Sequence, residues 1–360
     1  MDTFVVTGGA GFIGSNLIRY LLEKTDGLIV VVDKLTYAGH LKNIEDVSED
    51  PRVRFIKADI ADRIVIESIF RDVHPTGVFN LAAETHVDRS IDGPAPFIRT
   101  NVVGTFEILD VTHRYLQEKE KKVHDRFRFL HVSTDEVYGS LEKEGLFTEE
   151  TPYTPNSPYS ASKAGADHLV RAYHKTYSLP VLITNSSNNF GPYQFPEKLI
   201  PLMILNAIEG KPLPIYGDGQ QIRDWLYVED HCEGLLTVLK EGTIGAKYNI
   251  GSHNEWTNLD LVGKICDFLE ELYPIKENRV FKKKPLKSYK DLISLVKDRP
   301  GHDRRYAIDA TKIQNELKWR PKSNMDSALK KTIQWYLNNR EWAQAIQSGT
   351  YNRERLGIKA

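Results

Sequence analysis

Cysteine is almost absent: Cys232 and Cys266 are too few and too far apart for a disulfide framework or a thiolate metal site, and no ligand set for a structural zinc accompanies them. That scarcity suits a reducing cytoplasm. Charge of one sign is equally lacking, with 48 Lys and Arg against 49 Asp and Glu, so the overall balance points to neither nucleic acid nor membrane as a partner. The one basic cluster, FKKKPLK at 281–287, is short and broken by proline; it reads as a solvated loop ahead of a phosphate-binding patch. No apolar run approaches the roughly 20 residues needed to cross a bilayer. The opening MDTFVVTGG leads a strand straight into a glycine turn, without the charged and apolar regions of a secretory leader. There is no fixed-period repeat and no low-complexity segment. The expectation is a soluble, cytoplasmic protein with no metal site.

What is present is an ordinary globular composition, 41% hydrophobic and 27% charged, long enough for one large core and a smaller second lobe. Strand-like runs TFVVTG, LIVVVD, VRFIKAD, GVFNLAA, FRFLHVS and VLITNSS alternate with amphipathic helical stretches. That order predicts an α/β fold with a doubly wound parallel sheet covered on both faces. After residue 187 the texture turns to NNFGPYQFPEKLIP and GKPLPIYGDGQ, loops dense in glycine, proline and aromatics. Residues 1–187 thus read as one domain and 188–360 mainly as a lobe that covers a substrate. QIRDWLYVED and KYNIGS are short strands expected to return to the main sheet within 222–250, which makes the lobe discontinuous.

A glycine turn, Gly9-Ala10-Gly11-Phe12-Ile13-Gly14, follows the first strand and opens a helical stretch. Such glycines permit a tight turn and close approach of backbone to a pyrophosphate, while the helix N-terminus supplies positive partial charge. Asp33 ends the next strand at the spacing of a ribose-binding acid. Strand, glycines, helix, strand and acid together predict a dinucleotide-binding Rossmann domain. A carboxylate accepts from a 2′-hydroxyl and repels a 2′-phosphate, so NAD is favoured over NADP; Lys34 is a mild counter-signal that reads as a solvated side chain. For Asp59 at the adenine side and LAAET at 81–85 near the nicotinamide end, ordinary loop residues compete evenly with a binding role.

Tyr159 and Lys163 stand four residues apart after Asn156-Ser157-Pro158, a capping segment with proline at the first helical position. Residues i and i+4 share a helix face, so hydroxyl and ammonium can point the same way. A free tyrosine, with pKa near 10, is a poor base at neutral pH, and a nearby cation favours its phenolate. Upstream, STDEVYG places Asp135 and Glu136 side by side after a buried strand ending in Ser133-Thr134. At the carboxyl edge of a parallel sheet such a pair can serve as acid and base; on a solvated loop it would mean nothing. Consecutive strand residues point to opposite faces, so the backbone must leave strand geometry here, which Gly139 permits.

These residues resemble the extended short-chain dehydrogenase/reductases. More narrowly, AAETHVDRSI, STDEVYG, NSPYSASKAGADHLV, SNNFGPYQFPEKLIP, PIYGDGQQIRDWLYVEDH and DRPGHDRRYAID, in that order, are similar to the dTDP-glucose 4,6-dehydratases over nearly the whole chain. The resemblance implies an NAD-dependent lyase acting on a nucleotide-linked glucose, with dTDP-glucose as substrate. Tyr159, helped by Lys163 and Thr134, would take the 4-hydroxyl proton as hydride passes from C4 to NAD. The ketone acidifies C5–H; Glu136 would remove that proton and Asp135 would protonate the departing 6-hydroxyl. Hydride then returns to C6, giving a 4-keto-6-deoxy sugar. Elimination of this kind needs one carboxylate ionised and one protonated.

The resemblance also assigns binding residues. Gly8, Gly11, Phe12, Ile13 and Gly14 would meet the cofactor's pyrophosphate, and Asp33, Lys34, Leu35, Thr36, Asp59 and Ile60 its adenosine half. Leu81, Ala82, Ala83, Thr85, Thr100 and Asn189 complete the cofactor set with Tyr159 and Lys163. Thr85, Thr134, Asn188, Lys198, Leu199 and Asn258 fall to the substrate, as do Pro214, Ile215 and Tyr216. Arg223, Arg299, Asp298 and His302 join them; Arg223 has the planar fork that suits a diphosphate, although an ion pair with the adjacent Asp224 weighs equally on the residues alone. A homodimer through the long helices near 95–119 and 159–177 is implied. Thr85 in place of serine, Trp256 at a more polar position and a long stretch at 274–297 depart from the pattern and leave dTDP or UDP open as the carrier. A nucleotide-sugar 4-epimerase would share Tyr159 and Lys163 without a use for the carboxylate pair. A non-catalytic NAD-binding scaffold would have no need of either residue.

Overall fold

β-branched and aromatic residues crowd the six early runs, and each forms a strand in the computed structural model, which describes residues 2–283, 286–347 and 353. These are β1 (Thr3–Thr7), β2 (Leu28–Asp33), β3 (Val53–Lys57), β4 (Gly77–Asn80), β5 (Arg128–Thr134) and β6 (Val181–Ser186). Seven further strands follow: β7 (Asn188–Phe190), β8 (Leu213–Tyr216), β9 (Ile222–Tyr227), β10 (Lys247–Ile250), β11 (Glu255–Thr257), β12 (Ile293–Val296) and β13 (Arg305–Tyr306). The large sheet has the order β3-β2-β1-β4-β5-β6-β10 and is parallel at every pairing. The chain reverses direction of build between β1 and β4, which opens a crevice at their carboxyl ends.

Alternation along the strands divides the core into two faces. Phe4, Val6 and Leu130 point into one layer, and Val5, Val78 and Phe129 into the other. Each such side chain, fully buried, contributes about 1.5–3 kcal/mol. A third core gathers around the helices Leu199–Ile208, Asn258–Leu272 and Met325–Asn338, and forms the second lobe.

Of the two later runs, KYNIGS supplies β10 at the edge of the large sheet beside β6. β9 from QIRDWLYVED instead pairs with β7, β11 and β13 in a separate sheet. Its alternation explains the position: Trp225 and Tyr227 enter the second lobe's core while Leu226 enters a core layer of the large sheet. β9 is therefore the seam between lobes, and the following helix Val228–Glu241 packs back under the large sheet. In the 281–287 cluster Phe281 is buried in the second core, so that run is anchored and not simply solvated; Lys284 and Pro285 lie outside the described residues.

Candidate active site

The glycine turn leaves no room for side chains. A Cβ on Gly14 would sit 2.3 Å from the Gly8 carbonyl oxygen, and Gly8 itself has φ of +67° with Ala82 backbone 2.8 Å from where its Cβ would be. Gly11 caps helix Phe12–Lys24 with no side chain bonded to the cap and no acid in the first turn, so the amides at that end face the crevice without a competing anion. Asp33 ends β2 and accepts from the amides of Ala10 and Leu35 at 3.0 and 2.8 Å. These donors hold its carboxylate in place against burial, which pushes its pKa up. Lys34 is not a free solvated side chain: it donates to Thr100 Oγ1 at 2.7 Å and lies 3.6 Å from Asp59. The cradle, the acid and the donor set fit a dinucleotide.

Tyr159 sits in the first turn of helix Pro158–Tyr177, which Ser157 and Ser160 close with a reciprocal capping box. The phenol is 7% exposed, its ring edge-on to Phe97. Burial, then repulsion from Glu136, holds its pKa well above the usual tyrosine value, and the Thr134 hydroxyl acts in the opposite sense. Lys163 shares the helix face as expected, yet its ammonium donates to the Val132 carbonyl at 2.9 Å. A seven-residue π-helix, Ile98–Gly104, runs alongside; from it Asn101 bonds both the amide and the carbonyl of Glu84 and the hydroxyl of Ser162, whose own hydroxyl donates to the Tyr159 carbonyl. This tie fixes the loop after β4 to the helix that carries Tyr159 and Lys163.

The carboxylate pair leaves strand geometry at once. Asp135–Tyr138 form a 3₁₀ turn, and Gly139 follows at φ of +91°. Within that turn the two acids meet different surroundings. Asp135 is 1% exposed, its Oδ2 has no hydrogen-bond partner, and burial followed by repulsion from Glu136 and Asp224 drives its pKa well up. Glu136 is half-buried and opens on the crevice; burial raises its pKa, opposed by the cations Arg299, Lys198 and Arg223. Burial thus favours the protonated form of both acids, most strongly at Asp135, while at Glu136 the three cations oppose that rise.

Two cavities meet at this turn. One, of about 270 Å³, runs from the glycine cradle past Asp33 to Thr134, Tyr159 and Lys163. The other, of about 220 Å³, lies under the second lobe between Arg223, Arg299 and Tyr216. Glu136, Asn188, Glu197 and Lys198 line both. Arg223 stacks on Tyr306 at 4.1 Å and donates to the carbonyls of Ile222 and Asp303, whereas Asp224 turns the other way to the amides of Ser252 and Asn254. Strand alternation thus separates the two. Arg299 and the Tyr216 hydroxyl are both held by Asp88.

Gly8, Gly11, Phe12, Ile13, Gly14, Asp33, Lys34, Thr36, Asp59, Ile60, Thr85 and Thr100 all border the first cavity, as do Leu81, Ala82, Ala83 and Asn189. Leu199, Pro214, Ile215, Asn258 and His302 border the second. Leu35 and Asp298 border neither. Leu35 supports Asp33 through its amide, and Asp298 stands behind His302, accepting from its Nδ1 at 2.6 Å. Sequence reasoning passed over Glu84, Asp88, Asn101, Glu197, Tyr306 and Arg353. Glu84, Asp88, Glu197 and Tyr306 lie inside the motif stretches; Arg353, which borders the second cavity, and Asn101, which bonds Glu84 and Ser162, carry no local signal.

The family model described as GDP-mannose 4,6 dehydratase matches residues 5–332. The dTDP-glucose 4,6-dehydratase of Neisseria meningitidis serogroup B is 54% identical over 358 residues, covering 99% of each chain. This chain belongs to the dTDP-glucose 4,6-dehydratase family. Solved structures of that family agree in fold. The enzyme of Bacillus anthracis in complex with NAD superposes with a TM-score of 0.83 at 44% identity, covering 96% of this chain and 100% of that one. The enzyme of Streptomyces venezuelae with NAD and TYD bound gives 0.85 at 42% identity, covering 96% and 99%. The family's fold is thus matched over nearly the whole chain.

Proposed function

We infer that the chain is an NAD-dependent hydro-lyase converting dTDP-glucose to dTDP-4-keto-6-deoxy-glucose, as the names of its relatives indicate for those proteins. The observation that carries this reading is the turn Asp135–Tyr138, which sets two acids of unlike environment where the cofactor cleft and the sugar-nucleotide cleft join. An epimerase has no step for such a pair.

Bound NAD would supply a hydride acceptor at C4 and a donor at C6. Every other part falls to side chains of the chain. Tyr159 would accept the 4-hydroxyl proton, with the Thr134 hydroxyl favouring its ionised form. Glu136, facing three cations, would take the C5 proton. Asp135, whose protonated form burial favours, would hand its proton to the leaving 6-hydroxyl. Arg223, Arg299 and Lys198 would neutralise the diphosphate; the buried Nε of Arg299, without a hydrogen-bond partner, is one donor left for it. Residues 1–187 would form the NAD-binding part and 188–360 most of the substrate lobe. A homodimer through the helices near 95–119 and 159–177 is supported by the exposed Ile98, Val103, Phe106 and Tyr177. The cytoplasm is the proposed compartment; no helix among the described residues is long and apolar enough to cross a membrane.

The test is incubation with dTDP-glucose and, separately, UDP-glucose without added reductant, followed by mass spectrometry. Loss of one water from the dTDP sugar is expected. Unchanged mass with inverted C4 would replace this reading by epimerisation, and water loss from the UDP sugar alone would change the carrier.

A further inference from the structure

Behind Lys163, on the side away from the crevice, lies a carboxylate that the mechanism above does not use. Asp167 is 2% exposed and one turn further along the same helix. Its Oδ2 accepts from the hydroxyls of Ser133 at 2.9 Å and Tyr153 at 2.8 Å and from Asn185 Nδ2 at 3.3 Å, while Oδ1 lies 3.4 Å from His131 Nε2. The groups around it come from the neighbouring elements: His131 and Ser133 from β5, Tyr138 from the 3₁₀ turn, Tyr153 from the loop after that turn, Asn185 from β6 and Lys247 from β10. Lys247 lies over the rings of Tyr138 and Tyr153 at 5.6 and 4.7 Å and also feels the charge of Asp167.

The direction of the hydrogen bonds follows from the partners. The Ala82 amide donates to Thr7 Oγ1, so the Thr7 proton goes to Asn80 Oδ1, at 2.7 Å. Asn80 then presents its Nδ2 to His131 Nδ1, at 3.0 Å, which makes that nitrogen the acceptor. The ring proton of neutral His131 is left on Nε2, facing Asp167. The Lys163 ammonium lies 3.4 Å from the same Nε2 and cannot bond to it while it carries a proton. Burial keeps His131 neutral, with its pKa pushed down to about 4. Among the described residues, Asp167 is the carboxylate whose charge acts on this ammonium, which is 3% exposed.

We propose that Asp167, oriented by His131, is the counter-ion that keeps the buried Lys163 ammonium charged, and is thus a positioning residue for the proton transfer at Tyr159. This rests on the reading of Tyr159 and Lys163 given above. An isolated buried ammonium sheds its proton, and burial already lowers the pKa of Lys163 to about 8, with Asp167 acting in the opposite sense.

The experiment compares kcat against pH for the holoenzyme and for Asp167→Asn, with NAD content and thermal unfolding recorded on both. The expected result is an alkaline limb of kcat that falls about one pH unit or more earlier in the variant, recovery of kcat at lower pH and an unchanged KM for the nucleotide sugar. An unmoved limb, or a loss of kcat equal at all pH values, would overturn the proposal. Asp167→Glu and Tyr153→Phe keep the charge and should keep the limb. If Asp167→Asn does not fold, these two decide: a limb displaced by a full pH unit in either would assign the control to hydrogen bonding instead of charge. Lys163→Met separates the underlying reading, since retained water loss there removes Lys163 from the mechanism, whereas its abolition with an unmoved limb in Asp167→Asn refutes only the counter-ion.

Discussion

Replacing Glu136 by glutamine would separate oxidation from elimination. The side chain keeps its length and loses its charge and its basicity. General-base catalysis contributes about 10²–10⁴-fold, so the barrier to water loss should rise by about 3–5 kcal/mol. Oxidation at C4 should survive, because Glu136 is the largest charged influence raising the Tyr159 pKa; without it the phenol ionises more readily. The three cations Arg299, Lys198 and Arg223 remain and continue to hold the diphosphate, so substrate affinity should change little. The assay mixes enzyme and dTDP-glucose in a single turnover and follows reduced-nicotinamide absorbance beside product mass. Reduction should appear and persist while water loss slows. Undiminished water loss would remove Glu136 from its role, and equal loss of both steps would show that the variant had damaged the site as a whole.

Asp135→Asn should abolish most turnover and at the same time stabilise the fold. A carboxyl whose folded pKa is raised costs nothing below its unfolded value, near 4, and costs about 1.4 kcal/mol more for each pH unit above it until the folded pKa is reached, so the variant's advantage in urea unfolding should grow from pH 5 to pH 7; a difference flat with pH would refute the raised pKa. Gly14→Ala should cost NAD affinity by at least about tenfold, measured by calorimetry, since its Cβ meets backbone and not a flexible side chain. Arg223→Lys should raise KM for the nucleotide sugar about tenfold, or about 1.4 kcal/mol, with kcat nearly unchanged, because a point charge replaces a planar fork stacked on Tyr306; an unchanged KM would place the diphosphate elsewhere.

The local grammar of the chain was sufficient for its regular parts. Six β-branched runs, a glycine turn between a strand and a helix, and a Ser-Pro cap are short-range signals whose physics acts within a few residues, and each appears where its pattern predicts. Tertiary structure alone decided the rest. Whether Asp135 and Glu136 are a solvated turn or an acid and a base depends on what surrounds the turn: one is buried and repelled by Glu136 and Asp224, the other is opposed by three cations from distant parts of the chain. Strand geometry turns Asp224 away from Arg223 to the amides of Ser252 and Asn254, and Lys34 reaches Thr100, 66 residues on. Dielectric surroundings and long-range charge set the chemistry of these groups, and both are properties of the packed molecule that no local pattern encodes.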